Sequence, residues 1–309
     1  MIKTIFRAAF AVALLLAGCA PAAPASPMAS ANGAPKVVAV ETFLADIAQN
    51  VAGDRLQVSA LIPIGLDPPE FEPPPPDVVK ISQSQVLIVN GAGFEGWLNR
   101  VLDNAGGQRT VIEATHGLTM RTPQPGEVQD AHGEGDPHFW LDPNNVIQYV
   151  ENIRDGLAQA DPQGKAVYEQ NAAAYITQLK DLDAWIRDQV AQIPAGRRLL
   201  VTNHESLGYF ADRYGFTIVG SIIPSVSSSA SPSDQQMADL VNKIKQSGAP
   251  AIFLETGTNP QLADQVAAET GAKVVTGLFT HSVTAADGAA PTYLAMIRFN
   301  VSAIVDALK

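Results

Sequence analysis

Short apolar runs alternate with helical patterns along nearly the whole chain, and they do so twice. Lys36–Val40, Gln57–Ile62, Val86–Asn90 and Thr110–Glu113 read as buried strands, with helical patterns over Thr42–Val51 and Glu95–Asn104 among them. The rhythm returns at Arg198–Thr202, Thr217–Val219, Ala251–Leu254 and Lys273–Val275, with helices near Ser206–Tyr214, Ser233–Gln246, Pro260–Thr270 and Thr292–Leu308. Parallel strands need long crossover connections, usually helical, so the alternation implies parallel sheets covered by helices. Each half is therefore expected to form an α/β, Rossmann-like lobe. From Pro162, a first-turn proline after Asp161, to Ile193 there is no internal proline, and Pro194 and Gly196 then stop the pattern. At about 1.5 Å per residue such a helix approaches ~45 Å and could join the lobes. The competing reading is a pair of helices broken near Gln178. The expected organisation is thus a lobe over 36–161, a connecting helix over 162–193 and a second lobe over 194–309.

The N-terminus points to export. Lys3 and Arg7 precede an apolar run, Ala8–Leu16, too short to span a bilayer as a helix, which is the pattern of a secretion signal. The run ends in L-A-G-C, Leu16–Cys19, with small residues ahead of the single cysteine of the chain. It resembles a bacterial lipoprotein signal, which implies removal of residues 1–18 and lipidation of Cys19. The protein would then be membrane-anchored and face the periplasm or the cell exterior. Residues 19–35 are small and polar, with almost no large apolar side chain, and read as a flexible tether. With Cys19 lipidated, no thiol remains for a disulfide or a metal, so a metal site would have to use His, Asp, Glu or water. The chain carries 20 basic and 31 acidic residues; loss of Lys3 and Arg7 with the signal leaves 18 against 31. That balance argues against nucleic acid as a partner and suits a protein that meets cations.

Four stretches carry a family resemblance: G-L-D-P-P-E-F-E-P at Gly65–Pro73, D-P-H-F-W-L-D-P at Asp136–Pro143, T-N-H-E-S-L-G-Y-F at Thr202–Phe210, and Y-L-A-M-I-R-F-N at Tyr293–Asn300. In this order they are similar to the substrate-binding proteins of metal-importing ABC transporters, over nearly all of Lys36–Lys309. The resemblance implies a monomer that holds zinc, or manganese or iron, between two lobes and delivers it to a permease with its ATPase. It implies no enzymatic activity. His138 and His204 stand where the family places metal ligands, and imidazole is zinc's best ligand in a protein without thiolates.

Gly65–Val79 packs six prolines around two glutamates, and by composition alone it is either a stiff spacer or a binding loop. The resemblance chooses the loop, because Asp67-Pro68-Pro69-Glu70-Phe71-Glu72-Pro73 lies over a family motif, D-P-H-x-Y-E-P, whose histidine is the first ligand. Pro69 takes that histidine's place and offers no donor. Counting back from Tyr293, the family's aspartate ligand falls on His281, so the implied shell is His138, His204 and His281. Its fourth member would be water, Glu70 or Glu72, with Glu72 expected mainly as outer support. Glu255, ending A-I-F-L-E, is expected as an outer carboxylate near His204. His116 is expected to be structural or exposed, and His132 to lie in a solvated acidic loop. Trp97, Trp140 and Trp185 are read as packing residues, and the serine run Ser225–Ser233 as a loop ahead of a helix capped by Ser231 or Ser233. Two other functions share these features: a diverged lipoprotein acting in adhesion or metal storage, which Pro69 favours, and a zinc hydrolase, since three histidines plus water also describe a catalytic centre. For the hydrolase the sequence supplies no convincing base.

Overall fold

The computed structural model describes residues 33–124, 127, 135–225, 228 and 230–309. The signal, Cys19 and His132 lie outside them. In the first half, β1 (Val37–Ala39), β2 (Val58–Ala60), β3 (Val86–Val89) and β4 (Thr110–Glu113) form a parallel sheet in the order β2-β1-β3-β4. The second half repeats it with β5 (Leu199–Thr202), β6 (Thr217–Ser221), β7 (Ala251–Glu255) and β8 (Lys273–Leu278), in the order β6-β5-β7-β8. The central strands β1 and β3 are buried along their full length, as continuous apolar runs covered on both faces must be. In each sheet the strand order reverses beside the lobe's first strand, between β1 and β3 and between β5 and β7. Open α/β sheets present a crevice at the carboxyl ends of such strands.

The first lobe carries α1 (Thr42–Ala52), α2 (Pro75–Gln83), α3 (Leu98–Ala105) and α4 (Pro143–Ala160). The second carries α6 (Gly208–Tyr214), α7 (Asp234–Ser247), α8 (Gln261–Thr270) and α9 (Tyr293–Leu308). Ser233 caps α7, with its side chain on Gln236 N and the Gln236 side chain on its own N–H. Neither α2 nor α4 is among the helices expected from sequence. The proline-rich stretch does not stay a loop to its end: Pro74 is the cap of α2 and Pro75 opens its first turn, where a missing N–H costs nothing. Likewise Asp142 caps α4 by accepting from Asn144 N at 2.9 Å, with Pro143 next.

The connecting helix, α5, covers Lys165–Val190, 26 residues, and runs unbroken through Gln178. It is shorter at both ends than the expected 162–193. Pro162–Gly164 forms a separate 3-10 turn, fixed by Asp161, which binds Arg55 at 2.7 Å and Tyr168 Oη at 2.6 Å. Buried Tyr168, Ala172, Tyr175, Leu179, Leu182, Ile186 and Val190 recur every three or four residues and so share one face. That face packs on α1 and α4 of one lobe and on α9 of the other, inside a core continuous with Phe43, Tyr149, Phe253 and Met296. Full burial of each large apolar side chain contributes about 1.5–3 kcal/mol, so the lobes cannot swing far apart without exposing this stripe. Among the described residues, no helix is long and apolar enough to cross a membrane.

Candidate metal centre

His138, His204 and His281 come together between the lobes, their ligand atoms lying within 4.8 Å of one another. His138 precedes a 3-10 turn at Phe139–Leu141 and belongs to the first lobe; His204 follows β5 and His281 follows β8 in the second. His138 and His204 are fully buried, and the His281 side chain is 9% exposed. From the Nε2 of His138 it is 3.2 Å to that of His281 and 3.4 Å to that of His204.

Each ring is turned by a carboxylate behind it. Asp136 Oδ1 accepts both the backbone N–H of His138, at 3.0 Å, and its Nδ1–H, at 2.8 Å. Arg121, its side chain 7% exposed, lies 3.7 Å from the other oxygen of Asp136. Glu255, at the end of β7, puts Oε1 2.7 Å from His204 Nδ1. Asp67, from the proline loop, puts Oδ1 3.3 Å from His281 Nδ1, and Glu255 Oε2 stands at 3.6 Å from the same nitrogen. With a carboxylate beside each Nδ1, hydrogen-bonded in the case of His138, all three Nε2 atoms face inward and can offer lone pairs. Three lone pairs at this spacing repel one another unless a cation lies among them.

The ionisation of the cluster agrees. Burial pulls His204 down, but the Glu255 charge and hydrogen bond outweigh it and leave its pKa above the ordinary value. Burial pushes Glu255 up, and the His204 charge with its hydrogen bond more than reverses this, holding Glu255 at about 2. His281 is depressed to about 4, by burial and by its histidine neighbours, although Glu255 and Asp67 oppose them. One positive charge is thus favoured in the cluster and a second is resisted.

The donor set fits a small divalent ion. Tetrahedral zinc with bonds of about 2.0–2.1 Å separates its nitrogen ligands by about 3.3–3.4 Å, whereas adjacent octahedral positions at the same bond length would stand about 2.9 Å apart. Of the two Nε2 separations, 3.4 Å matches the tetrahedral value and 3.2 Å lies between the two. Three ligands leave one position for water or another donor. A cavity of about 540 Å³ opens between the lobes beside His281, lined in part by Asp67, Glu70, Glu255, Asn203 and Thr256. Its charged walls are carboxylates, which favours the approach of cations.

Local packing fixes the ligand loops. Trp140 Nε1 donates to Thr280 O at 2.7 Å, so a residue read as packing also ties the loop of His281 to the first lobe. Ser282 Oγ is 3.1 Å from Thr42 Oγ1 and accepts from Gly65 N at 3.1 Å. Gly91, Ala92 and Gly93, with φ of +83°, +54° and +79°, turn the chain after β3. Phe94 then walls the site, its ring 5.8 Å from His138 and 5.7 Å from His281.

Glu255 stands where the sequence reading put it, behind His204. Glu70 and Glu72 are both exposed and lie outside the three-histidine cluster. The side chain between them, Phe71, is the buried one, packed edge-on against Trp97 at 5.4 Å. Pro69 is half-buried, and Trp97 Nε1 holds the loop through Pro68 O at 2.9 Å. His116 is exposed. Asp136 and Asp67 were missed as orienting carboxylates. For Asp136 the signal was its position two residues before His138; Asp67 gave none, being 214 residues from His281 in sequence.

Residues 37–307 match the family model described as zinc-uptake complex component A, periplasmic. The manganese-binding lipoprotein MntA of Halalkalibacterium halodurans is 35% identical over 96% of this chain and 95% of its own length. The iron-binding protein YfeA of Yersinia pestis is 32% identical over 87% of this chain and 85% of its own. A manganese-bound periplasmic metal-binding protein from candidatus liberibacter asiaticus superposes with a TM-score of 0.80 at 29% identity, covering 89% of this chain and 100% of that one. The periplasmic zinc-binding protein TroA from Treponema pallidum gives a TM-score of 0.79 at 27% identity, covering 89% and 99%.

Proposed function

Since the chain belongs to the zinc-uptake component A family, the substrate-binding proteins of metal ABC importers, which are not enzymes, we propose that its cargo is zinc, held by His138, His204 and His281. Proteins of this family work with a permease and an ATPase. The observation that carries the choice of metal is the convergence of three Nε2 atoms with separations of 3.2 and 3.4 Å. An all-imidazole shell is a borderline-soft nitrogen site, which suits zinc better than the harder, oxygen-preferring manganese. Relatives named for manganese and for iron mark the alternatives that the donor set disfavours.

Water completes the shell in this reading, because Pro69 supplies no donor and both nearby glutamates are exposed. Cys19 carries the lipid that keeps the protein at the membrane, as expected of a chain whose relatives are named as lipoproteins. Capture involves little motion: α5 is packed against both lobes, so loading rearranges the ligand loops more than the lobes. The test is competition among zinc, manganese and iron(II) for the metal-free protein, with the bound metal quantified. Zinc should displace both others; retention of manganese against equimolar zinc would exclude the assignment.

A further inference from the structure

The proline loop has lost its ligand, yet it still reaches the site. We propose that Asp67 is the positioning residue through which this loop acts on the metal: its carboxylate faces His281 Nδ1 across 3.3 Å and so keeps Nε2 directed inward. The inference rests on the zinc reading above and extends it to a residue that touches no metal.

Three observations converge on it. First, His138 Nδ1 meets Asp136 at 2.8 Å and His204 Nδ1 lies 2.7 Å from Glu255. For His281 the nearer of two carboxylates is Asp67, at 3.3 Å, since Glu255 stands at 3.6 Å and uses its other oxygen on His204 and Ser206. Second, Asp67 Oδ1 is a buried atom with no hydrogen-bond donor of its own, although the side chain as a whole is 22% exposed. A buried acceptor without a donor is costly, and His281 Nδ1 is the ring nitrogen that faces it, at 3.3 Å. Third, Asp67 is held from both sides. Its Oδ2 accepts from Ser228 Oγ of the opposite lobe. Its backbone sits between Gly65, whose N–H reaches Ser282, and Pro68, whose carbonyl is anchored by Trp97. Pro68 also restricts Asp67 to extended backbone.

The experiment is a double-mutant cycle on zinc affinity, read by competition with a chromophoric chelator, using wild type, Asp67→Ala, Asp67→Asn, His281→Ala and the Asp67→Ala/His281→Ala double variant. Metal-free thermal midpoints confirm that each is folded. Loss of an orienting partner typically costs about 10- to 100-fold in metal affinity, and that loss is expected for Asp67→Ala. Asp67→Asn should lose less, because its amide oxygen still presents a partial negative charge to the ring nitrogen. In the His281→Ala background Asp67→Ala should cost nothing further. Cobalt(II) bound to Asp67→Ala should also show altered d–d bands, which a general loosening of the loop would leave unchanged. An equal loss with and without His281, or an unchanged affinity in Asp67→Ala, would overturn the proposal. If wild-type protein took up no zinc, the function itself would fall first, a result distinct from any pattern among the variants.

Discussion

Glu255 is the carboxylate shared by two of the three histidines, and its removal has a calculable outcome. Glu255→Gln keeps the shape and one acceptor oxygen near His204 Nδ1 but removes the charge that the buried ring faces at 2.7 Å. A single outer partner is worth about 10- to 100-fold in metal affinity. Because Glu255 also lies 3.6 Å from His281, the loss should fall toward the upper part of that range, about 2–2.7 kcal/mol at neutral pH. The pH dependence moves the other way. The Glu255 charge raises the pKa of His204, so in wild type protons compete with zinc from a pH above the ordinary imidazole value. Without that charge His204 protonates at lower pH, and zinc binding by Glu255→Gln should fall off at a lower pH than wild type although it is weaker throughout. Isothermal competition titrations from about pH 5 to 8, spanning the ordinary imidazole range, would show two curves that converge on the acid side. Parallel curves, or a fall-off moved to higher pH, would refute the assignment of Glu255 as the support of His204.

Other consequences follow from the same contacts. Pro69→His should strengthen zinc binding by adding a fourth imidazole, with part of the gain offset because the loop loses a rigid residue; equilibrium competition measures it. Glu41, fully buried beside Glu95, has a pKa raised well above the ordinary value, first by burial and then by the Glu95 charge. Such a group binds its proton more tightly folded than unfolded, so its contribution to stability is lost as pH rises from the ordinary glutamate range toward the folded pKa. Glu41→Gln should therefore flatten the decline in melting temperature between about pH 5 and 8. Leu179→Ala, at a fully buried position midway along α5, should destabilise the fold by about 2–5 kcal/mol in chemical denaturation while leaving the zinc affinity of the folded protein nearly unchanged.

The strands were legible because short apolar runs alternate with helical patterns, and all eight lie where the alternation places them, although β2, β4 and β8 are only partly buried. The helices α2 and α4 were not, since prolines that open a helix look in isolation like prolines that prevent one. At the site, the three histidines could be named from motif order and a residue count. Their carboxylates were harder to find. Glu255 ends a strand beside β5, so sheet topology brings it to His204. Asp67 meets His281 only through the docking of two lobes, which local sequence does not encode. Glu70 and Glu72 lie outside the three-histidine cluster because the loop turns at Pro68–Phe71 and buries Phe71, leaving the two flanking glutamates exposed.

The most direct measurement of the central claim is zinc titration of metal-free protein followed by thermal denaturation, in wild type and in each single alanine variant of His138, His204 and His281. One zinc per chain should bind wild type, and at about a thousand times the dissociation constant it should add about 4 kcal/mol of stability. Each variant should lose most of that gain, because each removes one of three imidazoles contributed by the two lobes. A variant that kept both the stoichiometry and the full thermal shift would show that its histidine is not a ligand and would contradict the three-imidazole centre.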